Sequence, residues 1–507
     1  MSSAEKASAG GSATSIDHAH DHDHEGGRVA GPLTQAKRGD LGDDAYVSDE
    51  AYERAVQGKE AMHQLGWVKM ATLLCVEAIA LGSLSLPGAF ATLGMVGGVL
   101  LTVGTGVLAT YTGWICGQVY LFYPGLKSFP DAGRQLFSPL GPRWARFGYE
   151  LVSVLFVAQL TLNYASHALT GSIMWQHITD RDDICSIIWV LVSAVMLTLL
   201  ASPPTFEKFS FLGYVDFVSI IIAILIVMIA TGVSGPTPAS DWSAWPQPGT
   251  TFVQGFAAVT NVLFAYAFVI VQFSLQTEMK NPKDVTKSVI VVGGVQILVY
   301  TLTGALIYAF VGQSVESPAI LSAGSKTIVR VAFGIAMPVI FISGSINANA
   351  VARYVHHRIY SHSRHQYINT GPGWLLWIAI LAVLGVVAFV VAEAIPFFSD
   401  LLGIISSLLI SAFTLWLPSV RGLRFTLMLE AKLTFSSPLV RVQVLWYFML
   451  RQGAPLSRQN LIHTLLCLVC FIYGVTVLGV GTYANVDSIV QKYTVGKVRS
   501  AFSCAPL

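Results

Sequence analysis

Eleven apolar runs, each long enough to cross a bilayer as a helix, constrain this chain more than any other feature. They lie at approximately 70–93, 94–122, 147–175, 184–201, 209–233, 251–275, 286–312, 327–352, 374–395, 397–419 and 461–481. A hydrocarbon core about 30 Å thick takes about 20 apolar residues per helix. Lipid supplies no partner for backbone groups, so such runs must satisfy their own amides as helices. Charged residues make up only 11% of the 507, against about 25% in an ordinary soluble domain. The expected fold is therefore an all-α polytopic membrane protein. The first two runs meet at Gly94 and the ninth and tenth at Pro396, so each pair should form a hairpin with a tight turn.

Lys and Arg set the orientation of such a bundle, because cytoplasmic loops retain positive charge. With the N-terminus in the cytoplasm, seventeen Lys and Arg fall in cytoplasmic loops, from Lys127 to Arg458, and two, Arg181 and Lys326, in the opposite ones. An odd span count then puts the C-terminus outside or in an organelle lumen. The loop from Gly235 to Pro248 suits that side, with Trp242 and Trp245 and no positive charge. The net charge of +2 gives no case for nucleic acid as a partner.

Residues 1–65 are polar and poor in apolar side chains, so they read as a disordered cytoplasmic tail. No cleavable signal peptide is visible there, which leaves the first span as the insertion signal. The tract Asp17-His18-Ala19-His20-Asp21-His22-Asp23-His24 has metal-binding composition, but a solvated low-complexity tail is the favoured account of it. Residues 66–481 are expected to form one membrane-spanning domain, and 482–507 a short non-cytoplasmic tail. Of the six cysteines, Cys467 and Cys470 have CxxC spacing inside an apolar run without further ligands nearby, and read as small buried hydrophobes. Cys185 and Cys504 fall on the same side, where a disulfide is open to them. No metal site or cofactor is expected.

The first span carries the most informative stretch, from Glu77 to Phe90, in which Gly82, Ser83, Ser85 and Pro87 gather near mid-membrane. Proline removes one backbone donor and crowds the preceding turn, yet it fits the first position of a new helix. Two half-helices are therefore expected, the second starting near Pro87. Its loose N–H groups would suit a substrate carboxylate. A plain proline kink remains the alternative.

The order Gly82-x-Leu84-x-Leu86-Pro87-x-Ala89-Phe90-x-x-x-Gly94 resembles the first-span signature of the amino acid/auxin permease family. Gln276-Thr277-Glu278-Met279-Lys280-Asn281-Pro282 resembles its Glu-Met-x-x-Pro cytoplasmic motif. The likeness covers about residues 65–480 and is nearest to the fungal neutral amino acid permeases. Leu81, where small residues are usual, and Ser85, where Gly is usual, depart from it. The resemblance implies two inverted five-span repeats with the first and sixth helices discontinuous at a shared site. No Gly or Pro marks a break in the sixth span between Phe256 and Asn281. The resemblance also implies that the eighth span, with Ser343 and Ser345, can complete an ion site opposite the first. Packing of small residues is the other account of those two hydroxyls.

The substrate-binding candidates are Gly82, Ser83, Leu84 and Ser85, with Tyr266 and Phe268 as apolar walls. The ion-coupling candidates are Glu77, Ser343 and Ser345. Ionisable groups inside spans are costly and usually functional; besides Glu77 these are Asp216, Glu393 and Asp400, with His167 as a titratable neighbour. Glu393 and Asp400 lie near an outer interface. Either Glu77 or Asp216 could instead be structural. The expected activity is secondary active transport of neutral, aliphatic or aromatic amino acids, with a proton in preference to sodium as the coupling ion. The plasma membrane is favoured over a vacuolar one. No clustered catalytic set argues for an enzyme. A vacuolar or lysosomal exporter, or a non-transporting sensor of the same fold, stays open.

Overall fold

The computed structural model describes residues 65–419 and 458–495, apart from 182, 205–206, 235–241, 362, 364, 366–367 and 369, together with Phe502 and Cys504. The His-rich tract and the rest of the N-terminal tail lie outside the described residues. Nine of the described helices are long and apolar enough to cross a membrane, and the apolar Ser186–Ala201 is a shorter tenth. The longest, Trp67–Phe122, is two spans joined at Gly94, whose φ of 74° is its one non-helical residue. All eleven expected spans are therefore present.

The turn at Gly94 works because only glycine adopts that backbone without strain and because the outer loop covers it. The N–H groups of Met95 and Val96 open the second span and donate to the carbonyls of Ser243 (2.9 Å) and Ala244 (3.0 Å). Helix N-termini leave such donors unsatisfied, and lipid cannot take them. Any Cβ at Gly94 would press into the Trp245 backbone.

The third span runs over Pro142–Thr179, the fourth over Ser186–Ala201 and the fifth over Glu207–Ser234. The sixth is split into Phe252–Phe264 and Val269–Thr277. The seventh is Val285–Val311, the eighth Lys326–Ile359 and the ninth Gly371–Ala394. The tenth begins at Phe398–Ile405 and continues as π-helix over Ser406–Trp416. The eleventh starts at Arg458–Thr476 and passes through a second π segment, Val477–Gly481. It does not stop at residue 481, where the sequence placed the start of a tail. Thr482–Thr494 continues it, held by Ser488 donating to Asp400 Oδ1 (2.7 Å) and by an ion pair from Lys492 to the buried Asp400.

Spans five apart pack together. The first meets the sixth at Gly82 and Ala265. The second meets the seventh where Gly106 lies against Ile297 and Gly293 against Thr110. The third meets the eighth where His167 Nδ1 approaches the Ile340 carbonyl at 2.8 Å. Two inverted five-span repeats would be expected to give such pairing.

At one face of the bundle, the entry to the first span is clipped to the end of the sixth. Leu65 N donates to Glu278 O and Lys280 N to Leu65 O, both at 3.0 Å. At the other face, a disulfide joins Cys185 before the fourth span to Cys504.

Candidate functional site

The break in the sixth span lies against the first. A Cβ built on Gly82 would sit 2.6 Å from the Ala265 Cα, so the two backbones touch where only a hydrogen separates them. Between Phe264 and Val269 the chain turns with short i to i−3 bonds, such as Tyr266 N to Leu263 O at 3.0 Å. Carbonyls released from the helical ladder find hydroxyls on other spans. Tyr300 of the seventh span donates to Ala265 O at 2.8 Å, and Thr414 of the tenth to Tyr266 O at 3.5 Å. The break needs neither Gly nor Pro because its partners come from elsewhere in the bundle.

The first span reverses the expectation. Its φ and ψ stay helical through Pro87, so the second half-helix expected to begin there is not found. Proline's fixed φ suits a helix, and the cost is one missing bond on the preceding turn. The hydroxyls expected to face a ligand bond their own span instead. Ser83 Oγ donates to Ile79 O (2.8 Å) and Ala80 O (3.2 Å), and Ser85 Oγ to Gly82 O (3.0 Å). Such back-bonding is a common use of Ser inside membrane helices. Leu84 is buried beside them.

Tyr266 and Phe268 are both fully buried and both directed at the second span. Tyr266 Oη donates to Thr102 O at 2.8 Å, and its ring meets Tyr300 edge to face. Phe268 packs on Gly113. The half-helix beyond the break is tied to the same span by two amides one turn apart. Gln272 Nε2 donates to Gly113 O (2.7 Å) and Gln276 Nε2 to Gly117 O (3.2 Å). Two glutamines spaced i, i+4 in an apolar run were the available sequence signal.

The candidate ion residues divide. Ser345 Oγ donates to Ile342 O of its own helix at 2.8 Å. Ser343 Oγ instead crosses to the fifth span and donates to Asp216 Oδ2 at 2.7 Å. Asn347, one turn beyond Ser343, bonds its carbonyl at 2.9 Å and also reaches Glu77 on the first span. The first, fifth and eighth spans thus bring Glu77, Asp216, Ser343 and Asn347 together. Asn347 escapes sequence reading because a lone amide in an apolar helix has many uses. Asp400 is bound to Ser488 and Lys492, and Glu393 is fully buried rather than open to interfacial water.

Two cavities of about 410 and 400 Å³ lie on outer faces of the bundle. The first is lined by Tyr111, Trp114, Gly293 and His463 among others, the second by Tyr214, Ser219 and Ile335. Neither is lined by Gly82, Ala265 or Tyr266.

The family profile described as transmembrane amino acid transporter protein matches residues 63–450. The chain is 45% identical over 459 residues to the N amino acid transport system protein of Neurospora crassa, covering 89% of this chain and 91% of that one. It is 27% identical over 466 residues to a transmembrane transporter of Gibberella moniliformis, covering 90% and 91%. A solved structure of a nucleobase-cation-symport-1 family transporter with bromovinylhydantoin bound aligns with a TM-score of 0.46 at 15% identity, covering 88% of this chain and 96% of that one.

Proposed function

Because the chain belongs to the transmembrane amino acid transporter family, we propose that it carries neutral amino acids across the plasma membrane by proton symport. The observation that carries the reading is the contact of Gly82 with the sixth-span break, where backbone polar groups meet inside the membrane. Opening that contact would bare the carbonyls of Ala265 and Tyr266 to a substrate's ammonium, and the hydroxyls of Ser83 and Ser85 would serve its carboxylate on turning from their own helix. Leu84, Tyr266 and Phe268 would supply the apolar walls.

Neutral side chains are favoured because the residues described at this level, Gly82 to Ser85 and Ala265 to Phe268, carry no charge. The Neurospora relative, named as an amino acid transport protein, supports the cargo class. Proton coupling is supported by carboxyls within the spans, Glu77 above all, with Ser343 and Ser345 on the facing helix. An acidic group inside a bundle is costly and is usually kept for function.

The test is uptake of a labelled amino acid panel into proteoliposomes holding the purified full chain, with proton and sodium gradients imposed separately. Leucine and phenylalanine should accumulate under an inward proton gradient. Competition by lysine or glutamate with none by leucine or phenylalanine would overturn the neutral class. Accumulation under sodium alone would overturn the proton.

A further inference from the structure

We infer that Asp216, on the fifth span, is the carboxyl that binds the transported proton, and that Ser343 positions it. The inference rests on the proton-symport reading and names its site. Asp216 is fully buried. Its Oδ2 accepts from Ser343, while Oδ1 is buried without a hydrogen-bond partner among the described residues. No Lys or Arg among the described residues forms an ion pair with it; those found join Asp180, Asp183, Asp284, Glu150 and Asp400. An unpaired buried carboxylate is expensive, by several kcal/mol even after relaxation. One oxygen receiving a hydroxyl proton leaves the other as the place for the carboxyl's own proton.

The surrounding groups support a pathway rather than a static bond. On the first span the titratable group that bears on Asp216 is Glu77. Asn347 on the eighth span reaches Glu77, and its Oδ1 is likewise buried and unpartnered. His167 of the third span sits beside Gly344 but is engaged with Ile340. On the seventh span the hydroxyls of Tyr300 and Tyr308 are bonded to Ala265 and Ser243. Glu77 is less buried than Asp216. A proton taken up on Asp216 Oδ1 from one side can therefore pass to the Glu77 carboxylate when the first span moves against the eighth, with the Asn347 amide holding Glu77 in place. The carboxylate that remains is ready for the next proton. Ser343 then serves to hold Asp216 rather than to ligate an ion directly.

The test uses the full-length protein in proteoliposomes with labelled leucine and phenylalanine as probes. With one proton per substrate, an inward gradient of about one pH unit sustains about tenfold accumulation. Asp216→Asn keeps the shape and the bond to Ser343 but cannot exchange a proton. It should fall to equal concentrations inside and out and move no protons when substrate is added, while exchange of labelled for unlabelled substrate continues. Wild-type accumulation by Asp216→Asn overturns the inference alone. Failure of the wild-type protein itself under a proton gradient overturns the symport reading instead. Ser343→Ala is the second variant, in case Asp216→Asn does not fold. It strips the bond to Oδ2 and leaves the carboxyl. The proton concentration giving half-maximal uptake should shift about threefold or more, and an unmoved midpoint overturns the inference.

Discussion

At the scale of single residues, Gly82 is the most constrained position in the proposed site. Its missing side chain lets the first span lie on the Ala265 backbone. Gly82→Ala must push the two spans apart by several tenths of an ångström. Misplacement on the scale of an ångström can cost about a hundredfold in rate, so uptake should fall at least about tenfold while the protein still reaches the membrane. Surface labelling alongside uptake checks this, and near-normal uptake would show that the close contact is dispensable. Glu77 gives a second prediction. Glu77→Gln should abolish proton-driven accumulation and leave substrate exchange intact on the same vesicles. Unchanged accumulation would remove Glu77 from coupling, and loss of both activities with low expression would make it structural. The serines beside Pro87 belong to the helix in this conformation, since their hydroxyls are spent on Ile79, Ala80 and Gly82.

At the scale of elements, the sixth span is broken by its neighbours. Tyr300 donates to Ala265 O, and removing one partner of a buried bond leaves the other unsatisfied, at a cost of about 1–3 kcal/mol. Tyr300→Phe keeps the edge-to-face ring contact with Tyr266 and deletes only the hydroxyl. It should lower thermal stability in detergent by that order and reduce uptake. An unchanged melting temperature would mean that water or another donor replaces the hydroxyl. The eleventh span poses a parallel case at the opposite face. Asp400 is buried while Lys492 is about half exposed, so solvent weakens the pair, but its loss leaves the carboxylate with Ser488 alone. Lys492→Ala should cost about 1 kcal/mol, read by the same melt. The π segments at Ser406–Trp416 and Val477–Gly481 adjoin each other, with Gly481 against Ser407 and Thr260 of the sixth span. Such segments often mark functional positions in helices.

At the scale of the whole molecule, the chain is predicted to place its two ends on opposite sides. The loop charges and the odd span count both require it. The disulfide between Cys185 and Cys504 adds a chemical reason, because disulfides persist in oxidising compartments. The prediction is that those two residues lie outside the cytosol. Tags on both ends of sealed, right-side-out vesicles should show protease access to the C-terminal tag and none to the N-terminal one. A protease site engineered between spans six and seven should yield fragments that remain joined until a thiol reductant is added. Fragments that part without reductant would exclude the cross-link, and two tags cleaved from one side would exclude eleven spans.

The sequence by itself determined the class and the span positions, and it set the expected orientation. Those depend on local hydrophobicity and on charge in loops, and both are written residue by residue. The Gly94 turn was equally legible, because a positive φ demands a residue type. The interrupted helix was not. Pro87 advertised a break that helical geometry absorbs, whereas residues 264–269 break without any local signal. Their carbonyls are satisfied by Tyr300 and Thr414, which lie 35 and 148 residues further on from the carbonyls they serve. The same holds for the acidic cluster. The resemblance grouped Glu77 with Ser343, but Asp216 looked like an isolated polar residue in its own span and Asn347 drew no notice. Only the packing of the first, fifth and eighth spans makes them neighbours. Hydrogen bonds between distant segments carry no periodicity, so tertiary structure alone decided which polar residues share a site.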